Sequence, residues 1–252
     1  MAQFLKTASE TLPLVLLQPQ SSTTAPGGIL GGAAFTNVGT ISHPTVTYGA
    51  KDATGQRRTN FTGSSSAGSG AGFTQGGTYW YGTNPGDGFD IVVTFDIPSD
   101  LTTLGASAFI GLMASAAALA GNPSSLTNII GIGYDATDAL TANISLYTCA
   151  GGTAAKTTIP NSGRASLLGH TLTLRLKSIN AAIVNVSLKD ETVVIGNTTG
   201  KILLDTDVGV GQTLSAVPAV ETLLGFVFNV YNGSVAQSAI IELQKFTAST
   251  VA

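Results

Sequence analysis

The chain has 252 residues, 43% of them hydrophobic and only 10% charged, with a formal net charge of −3. That length fits one large all-β domain, or a domain with an extended arm, and the charge density lies far below the roughly 25% of an average soluble protein. Scattered basic residues, with Arg57 and Arg58 the one adjacent pair, give no electrostatic footprint for nucleic acid; a single cysteine, Cys149, excludes an internal disulfide framework and a multi-cysteine zinc site; and no apolar run reaches the length of about 20 residues needed for membrane insertion.

Residues 1–30 read as an N-terminal attachment arm. Its apolar run, "LPLVLL" from Leu12 to Leu17, is short and contains Pro13. Lys6 precedes it, but no small-residue cleavage site follows closely, so a signal peptide is not expected. The arm ends in "QPQSSTTAPGG", a turn-rich connection. It either packs on a partner or supplies a first edge strand.

Residues 31–88 read as a Gly/Ser-rich loop region with short strands, part of the same sandwich. Strands are expected near Ala33–Asn37 and Thr45–Tyr48, and "FTGSSSAGSGAGFTQGGTYWYGTNPGDG" reads as a long loop around a few aromatics. The pointed feature is Tyr79, Trp80 and Tyr81, which include the one tryptophan. In a strand the two tyrosines share a face and Trp80 takes the other. The trio is either a set of core anchors in an outer strand or a contact for a glycan or partner, since amphipathic aromatics dominate recognition surfaces.

Residues 89–252 carry the β-sandwich core. In "FDIVVTFDI", Phe89, Ile91, Val93, Phe95 and Ile97 alternate with Asp90, Thr94 and Asp96. "AFIGLM" (Ala108–Met113), "IIGIGY" (Ile129–Tyr134) and "NISLYT" (Asn143–Thr148) read as further strands. Between the first two, "ASAAALA" (Ala114–Ala120) is the one helix candidate, about two turns long. "TLTLRLK" places Leu172, Leu174 and Leu176 on one face, and "VNVSLKD" follows with Val184, Val186 and Leu188. The short "SINAAI" between them predicts an antiparallel hairpin. Leu224–Asn232 and Ala239–Phe246 read as a second hairpin joined around Gly233. Short, regularly spaced strands without long helical periodicity give an all-β, antiparallel, jelly-roll-like β-sandwich. No heptad pattern provides a coiled-coil trimerisation stalk.

Gly131-Ile132-Gly133 suggests a dinucleotide loop, but the chain continues into another β-type segment rather than a helix, so the pattern fails its context. Glycines inside a strand mark a bulge or a close backbone approach. Asp135 and Asp138 read as turn-stabilising acceptors of backbone N–H groups. A calcium site there needs more oxygen ligands, six to eight in all, from acids such as Asp205 and Asp207 or Asp87 and Asp90; no metal is assigned. For paired-carboxylate hydrolysis no acid sits in an aromatic cleft-like sequence, and Glu242 is expected to face solvent. His43 and His170 read as surface or turn residues, and no Gly-x-Ser-x-Gly elbow surrounds a serine. No catalytic residue and no cofactor is assigned, and the chain is read as a non-enzyme.

"IIGIGYDATDALTANISLYTCAGGTAAKTTI" resembles a segment of tail and fibre-like proteins of tailed bacteriophages, through Gly131, Gly133, Asp135, Leu146, Tyr147, Gly151, Gly152, Ala154 and Lys156. Upstream, "FDIVVTFDIPSDLTTLGASAFIGLM" is similar to that family's preceding strands at Phe109, Gly111 and Leu112, and "LGFVFNVYNGSVAQSAIIELQKF" to its final hairpin. The resemblance covers roughly residues 78–247. It implies a concanavalin-like or jelly-roll sandwich in a virion structural protein, often trimeric, and brings no catalytic residues. The expected protein is thus a tail or fibre component assembled in the host cytoplasm and carried on the virion. Its expected partners are other virion proteins and identical subunits in a homotrimer, together with a host-surface polysaccharide contacted near Tyr79, Trp80 and Tyr81; neither nucleic acid nor membrane insertion is expected. A capsid decoration protein, a secreted carbohydrate-binding sandwich and a polysaccharide-cleaving sandwich remain the alternatives.

Overall fold

The computed structural model describes residues 15–17, 35–42, 59–81, 88–96, 105–180, 183–192 and 200–250. Two antiparallel sheets pack face to face. The first contains β1 (Val15–Leu17), β3 (Thr40–Ser42), β4 (Thr59–Thr62), β6 (Phe89–Asp96), β11 (Thr171–Asn180), β12 (Ile183–Asp190), β13 (Lys201–Gly209) and β15 (Ile240–Thr250). Its order is β13-β12-β11-β6-β15-β4-β3, with β1 also on β15. The second contains β2 (Phe35–Val38), β5 (Gly70–Tyr81), β7 (Ser107–Met113), β8 (Ile129–Tyr134), β9 (Asn143–Cys149), β10 (Ala155–Gly163) and β14 (Thr222–Tyr231), in the order β10-β9-β8-β7-β14-β5-β2. The chain changes sheet repeatedly, from β1 to β2, β2 to β3, β4 to β5, β5 to β6, β6 to β7, β10 to β11, β13 to β14 and β14 to β15. Both sheets therefore share one core, and the expected antiparallel, jelly-roll-like β-sandwich is the fold.

Alternation drives this packing. In β6, Phe89, Ile91, Val93 and Phe95 are buried between the sheets, with Leu172, Leu174 and Leu176 of β11 and Val184, Val186 and Leu188 of β12 beside them. β11 and β12 form the expected hairpin, with Leu174 opposite Leu188. Phenylalanines fill the centre: Phe73, Phe226 and Phe228 from the second sheet meet Phe61, Phe95 and Phe246 from the first, with ring centroids 4.8 to 6.2 Å apart. Offset and edge contacts of this kind add to the area buried.

Three expectations are corrected. β14 and β15 are not a hairpin: β14 pairs with β5 and β7, while β15 pairs with β6, β4 and β1. Both strands feed one core, so alternation alone does not tell which sheet receives each. The supposed loop contains β5, twelve residues long and central in pairing between β14 and β2. Its pattern is masked by glycine: Gly72 sits at φ +139°, where an added Cβ would fall 1.9 Å from the Phe228 carbonyl oxygen. Finally, Ala114–Ala120 is not helical. It starts a strap, residues 114–128, across the outer face of the second sheet, where Phe109, Met113, Ile129, Tyr147, Cys149 and Val227 form a second apolar cluster with Leu119. Burying Leu119 on that floor overrides the helix propensity of the alanines. The Leu119 N–H donates to Asn229 Oδ1 at 3.0 Å, and Ser107 Oγ donates to the Gly121 carbonyl at 2.8 Å. Thr45–Tyr48 lies outside the described residues, as does the arm apart from β1, the edge strand that the apolar run supplies.

Candidate functional site

Two places on the second sheet gather the residues singled out by the sequence. The first is the end of β5. Tyr79 faces inward and is 1% exposed. Its hydroxyl donates to Gln75 Oε1 at 2.5 Å, and its ring stands edge-on to Phe89 with centroids 6.1 Å apart. Burial pushes its pKa up, against the lowering effect of the Gln75 hydrogen bond. Tyr79 is thus a core anchor and does not present its ring to a ligand. Trp80 and Tyr81 lie opposite Leu223 and Thr222 in register; their side chains are outside the described residues. Two aliphatic side chains are exposed at this end of β14, Leu223 at 44% and Val220 at 38%, with the exposed Glu221 between them. The strand bulges here, since Tyr79 pairs with Leu224 and Gln75 with Phe226, which sets Gly76, Gly77 and Thr78 against Gly225 alone. Gly76 has open space around it.

The second place is the turn after β8. Asp135 is 5% exposed. Its Oδ1 accepts the Ser124 N–H of the strap at 3.0 Å, and its own N–H donates to Asp138 Oδ2 at 2.9 Å. The Lys156 ammonium, carried in by β10, donates to Asp135 Oδ2 at 2.9 Å and to both Asp138 carboxylate oxygens at 2.5 and 2.7 Å. Asn122 Oδ1 accepts the Ala136 N–H at 2.8 Å. Arg164, 2% exposed, lies 3.7 Å above the Tyr134 ring and donates to the Asp138 carbonyl at 3.3 Å. Burial raises the Asp135 pKa, but hydrogen bonds from Lys156 and Ser124 and the charge of Lys156 outweigh it, so the carboxyl sits below its usual range. Lys156 shows the mirror image: burial lowers its pKa and the two aspartates raise it further. Burial pushes the Tyr134 pKa up to about 12, against the lowering effect of the Arg164 charge. Tyr147, fully buried, is pushed up by burial and by the charges of Asp135 and Asp138.

The arrangement is an ion clamp: the ammonium fills the position between the two carboxylates, and the lowered pKa of Asp135 keeps that carboxyl ionised at neutral pH. The turn-stabilising reading of Asp135 and Asp138 describes what they do, while the partners Lys156, Asn122, Ser124 and Arg164 come from elements the sequence does not place. The glycines before them serve close approach: a Cβ on Gly133 would lie 2.0 Å from the Ala108 carbonyl oxygen, and one on Gly131 2.5 Å from that of Ile110.

The other acids are dispersed. Asp90 binds Arg175 at 2.8 and 2.5 Å. Asp205 and Asp207 share the Asn185 side-chain amide at 3.0 and 2.9 Å, on the same outer face of the first sheet as Asp90 but three strands away, in the row that runs through Lys177 and Asn185. Glu242 does not face solvent: it is 4% exposed and lies opposite Asp96 in register. His170 Nδ1 is 2.7 Å from Asp190 Oδ2. His43 and Asp87 lie outside the described residues. Among the described residues no group of three or more His, Cys, Asp or Glu could hold a metal ion, and no helix is long and apolar enough to cross a membrane.

No protein-family model and no curated protein matches the sequence. Solved structures do match the fold. A protein of unknown function from Shewanella oneidensis MR-1 is 13% identical, with a TM-score of 0.51, 100% of this chain covered and 97% of that one. The binding domain of botulinum neurotoxin serotype D is 10% identical, with a TM-score of 0.50; 94% of this chain is covered, and the chain spans 47% of that domain's length. A carbohydrate esterase from the Shiga toxin-encoding bacteriophage phi24B is 13% identical, with a TM-score of 0.49 and 96% and 99% of the two chains covered. At such identities the likeness is one of fold alone, an antiparallel two-sheet β-sandwich.

Proposed function

We propose that this chain is a non-enzymatic structural subunit of a bacteriophage virion, at the tail or fibre, whose sandwich contacts a host-surface glycan through the Trp80 corner. The carrying observation is the shelf at the end of β5 and β14, where Leu223 and Val220 are exposed and Trp80 stands opposite Leu223. Exposed aliphatic groups beside a Trp-bearing strand end suit the faces of sugar rings, which offer C–H surfaces for stacking. Binding there is weak for one copy and becomes useful in a symmetric array, where multivalency multiplies it. The neutralised Asp135–Lys156–Asp138 clamp supports a non-catalytic reading, and the scarcity of charge suits a chain that meets other subunits over much of its surface.

The test is binding of the purified chain to the host's surface polysaccharide, together with its ability to block adsorption of the particle. Trp80→Ala is expected to weaken binding about tenfold or more with little change in stability. Tyr79→Phe should lower stability, because it leaves the buried Gln75 amide without its partner, and should leave binding intact. Shortening of the polysaccharide by the wild-type chain would sink the non-enzyme reading. A failure to compete, with the chain located on the capsid shell, would make it a decoration protein instead.

A further inference from the structure

We propose that the groove beside the second half of β15 is an assembly joint, filled in the particle by β1 of a neighbouring copy. This rests on the reading of the chain as a virion subunit. β15 is paired along one side by β6, from Glu242 to Thr250. On its other side β4 covers only Ile240 to Leu243, and β1 covers Phe246 to Ala248. Without β1, the backbone of Phe246–Ala248 would present an unpaired edge next to two core residues, since Phe246 and Ala248 are both 0% exposed. Such an edge is a template for strand addition.

The strand that fills it is weakly committed to its own chain. β1 is three residues long and makes three register pairs, Val15 with Ala248, Leu16 with Thr247 and Leu17 with Phe246. It connects to the rest of the fold through residues 18–34 before β2 begins at Phe35. A connection of that length reaches at most roughly 55 Å, enough to serve a neighbour's groove. Closure within a chain and closure between chains make the same contacts, so exchange of the strand is a low-cost route to association. The choice is then set by concentration: a tethered strand competes at an effective concentration on the order of millimolar, and subunits held in a particle reach comparable local values. Dilute protein therefore closes on itself, and assembled protein exchanges.

Paired cysteines test this. Leu16 and Thr247 are directly opposite, so their Cα atoms stand about 4.5–5.5 Å apart, within disulfide range. Thr247 lies on the outward side of β15, between the inward Phe246 and Ala248, which limits disruption. In a Cys149→Ala background, the double variant Leu16→Cys/Thr247→Cys is expected to crosslink on oxidation, within the chain when dilute and between chains when concentrated. Equimolar Leu16→Cys and Thr247→Cys single variants, co-refolded at high concentration, are expected to give a covalent dimer. If the double variant forms no crosslink at all, β1 does not occupy the groove and the proposal falls. If its crosslink stays within the chain at every concentration and the mixed singles give no dimer, exchange is also ruled out. Should the cysteine variants fail to fold, the wild-type chain and a chain lacking residues 1–17 are compared by native mass: loss of association on truncation supports the joint, and unchanged association overturns it. Native mass separates the two claims, since association without the crosslink sinks the exchange alone, and a monomer at all concentrations sinks the subunit reading as well.

Discussion

Lys156 reaches Asp135 and Asp138 because the β9–β10 hairpin folds it back across the β8 turn, with Lys156 opposite Tyr147 in register. The aspartates were legible as turn acceptors from their spacing; their cation was not, because only the hairpin register brings it there. The clamp ties three elements: the turn, the strap through the Ser124 N–H, and β10. Asp135→Asn keeps an acceptor for Ser124 and removes the charge that faces Lys156, an expected loss of about 1–3 kcal/mol at neutral pH. The folded-state pKa of Asp135 lies below the unfolded one, so its contribution is present above about pH 4 and is lost as pH falls through the folded value. Urea midpoints of wild type and variant should differ at pH 7 and converge toward pH 3. A gap that stayed constant over that range would count against the ion clamp.

Among the elements, legibility followed side chains that alternate. β6, β11 and β12 declare themselves because every second residue is large and apolar. β5 was hidden because glycine carries no hydropathy signal and four of its twelve residues are glycine, two of them, Gly70 and Gly72, where the β14 backbone presses in. The strap was hidden for a different reason: alanine has high helix propensity, and only the apolar floor beneath it holds the chain in an irregular path. Glycines that pack against backbone should therefore be intolerant, and those in open turns tolerant. Gly133→Ala drives a methyl into the Ala108 carbonyl and is expected to cost about 3 kcal/mol, at the top of the overpacking range. Gly152→Ala, in the β9–β10 turn with nothing within 4 Å of its Cβ, should stay within about 0.5 kcal/mol. Chemical denaturation of the two variants checks this, and equal effects would mean that the glycines of β8 are not there for close approach.

At the scale of the molecule, the repeated change of sheet makes the two layers interdependent. The inner faces of the two sheets bury each other, because the six phenylalanines at the centre are drawn from both. Removing one from either side should weaken both layers equally. Phe228 meets Phe61 and Phe95 of the first sheet and Phe73 of the second, so Phe228→Ala is expected to cost about 3–5 kcal/mol. Trp80, the one tryptophan, lies on β5, so its fluorescence follows the second sheet while far-ultraviolet circular dichroism follows all strands. In wild type and in Phe228→Ala the two signals should trace one transition with one midpoint, as a single cooperative unit requires. A fluorescence transition that preceded the loss of β signal would mean that the second sheet opens by itself. The shared aromatic centre would then not be what couples the layers, and the β14 to β15 crossing would be a covalent link between separately folding sheets.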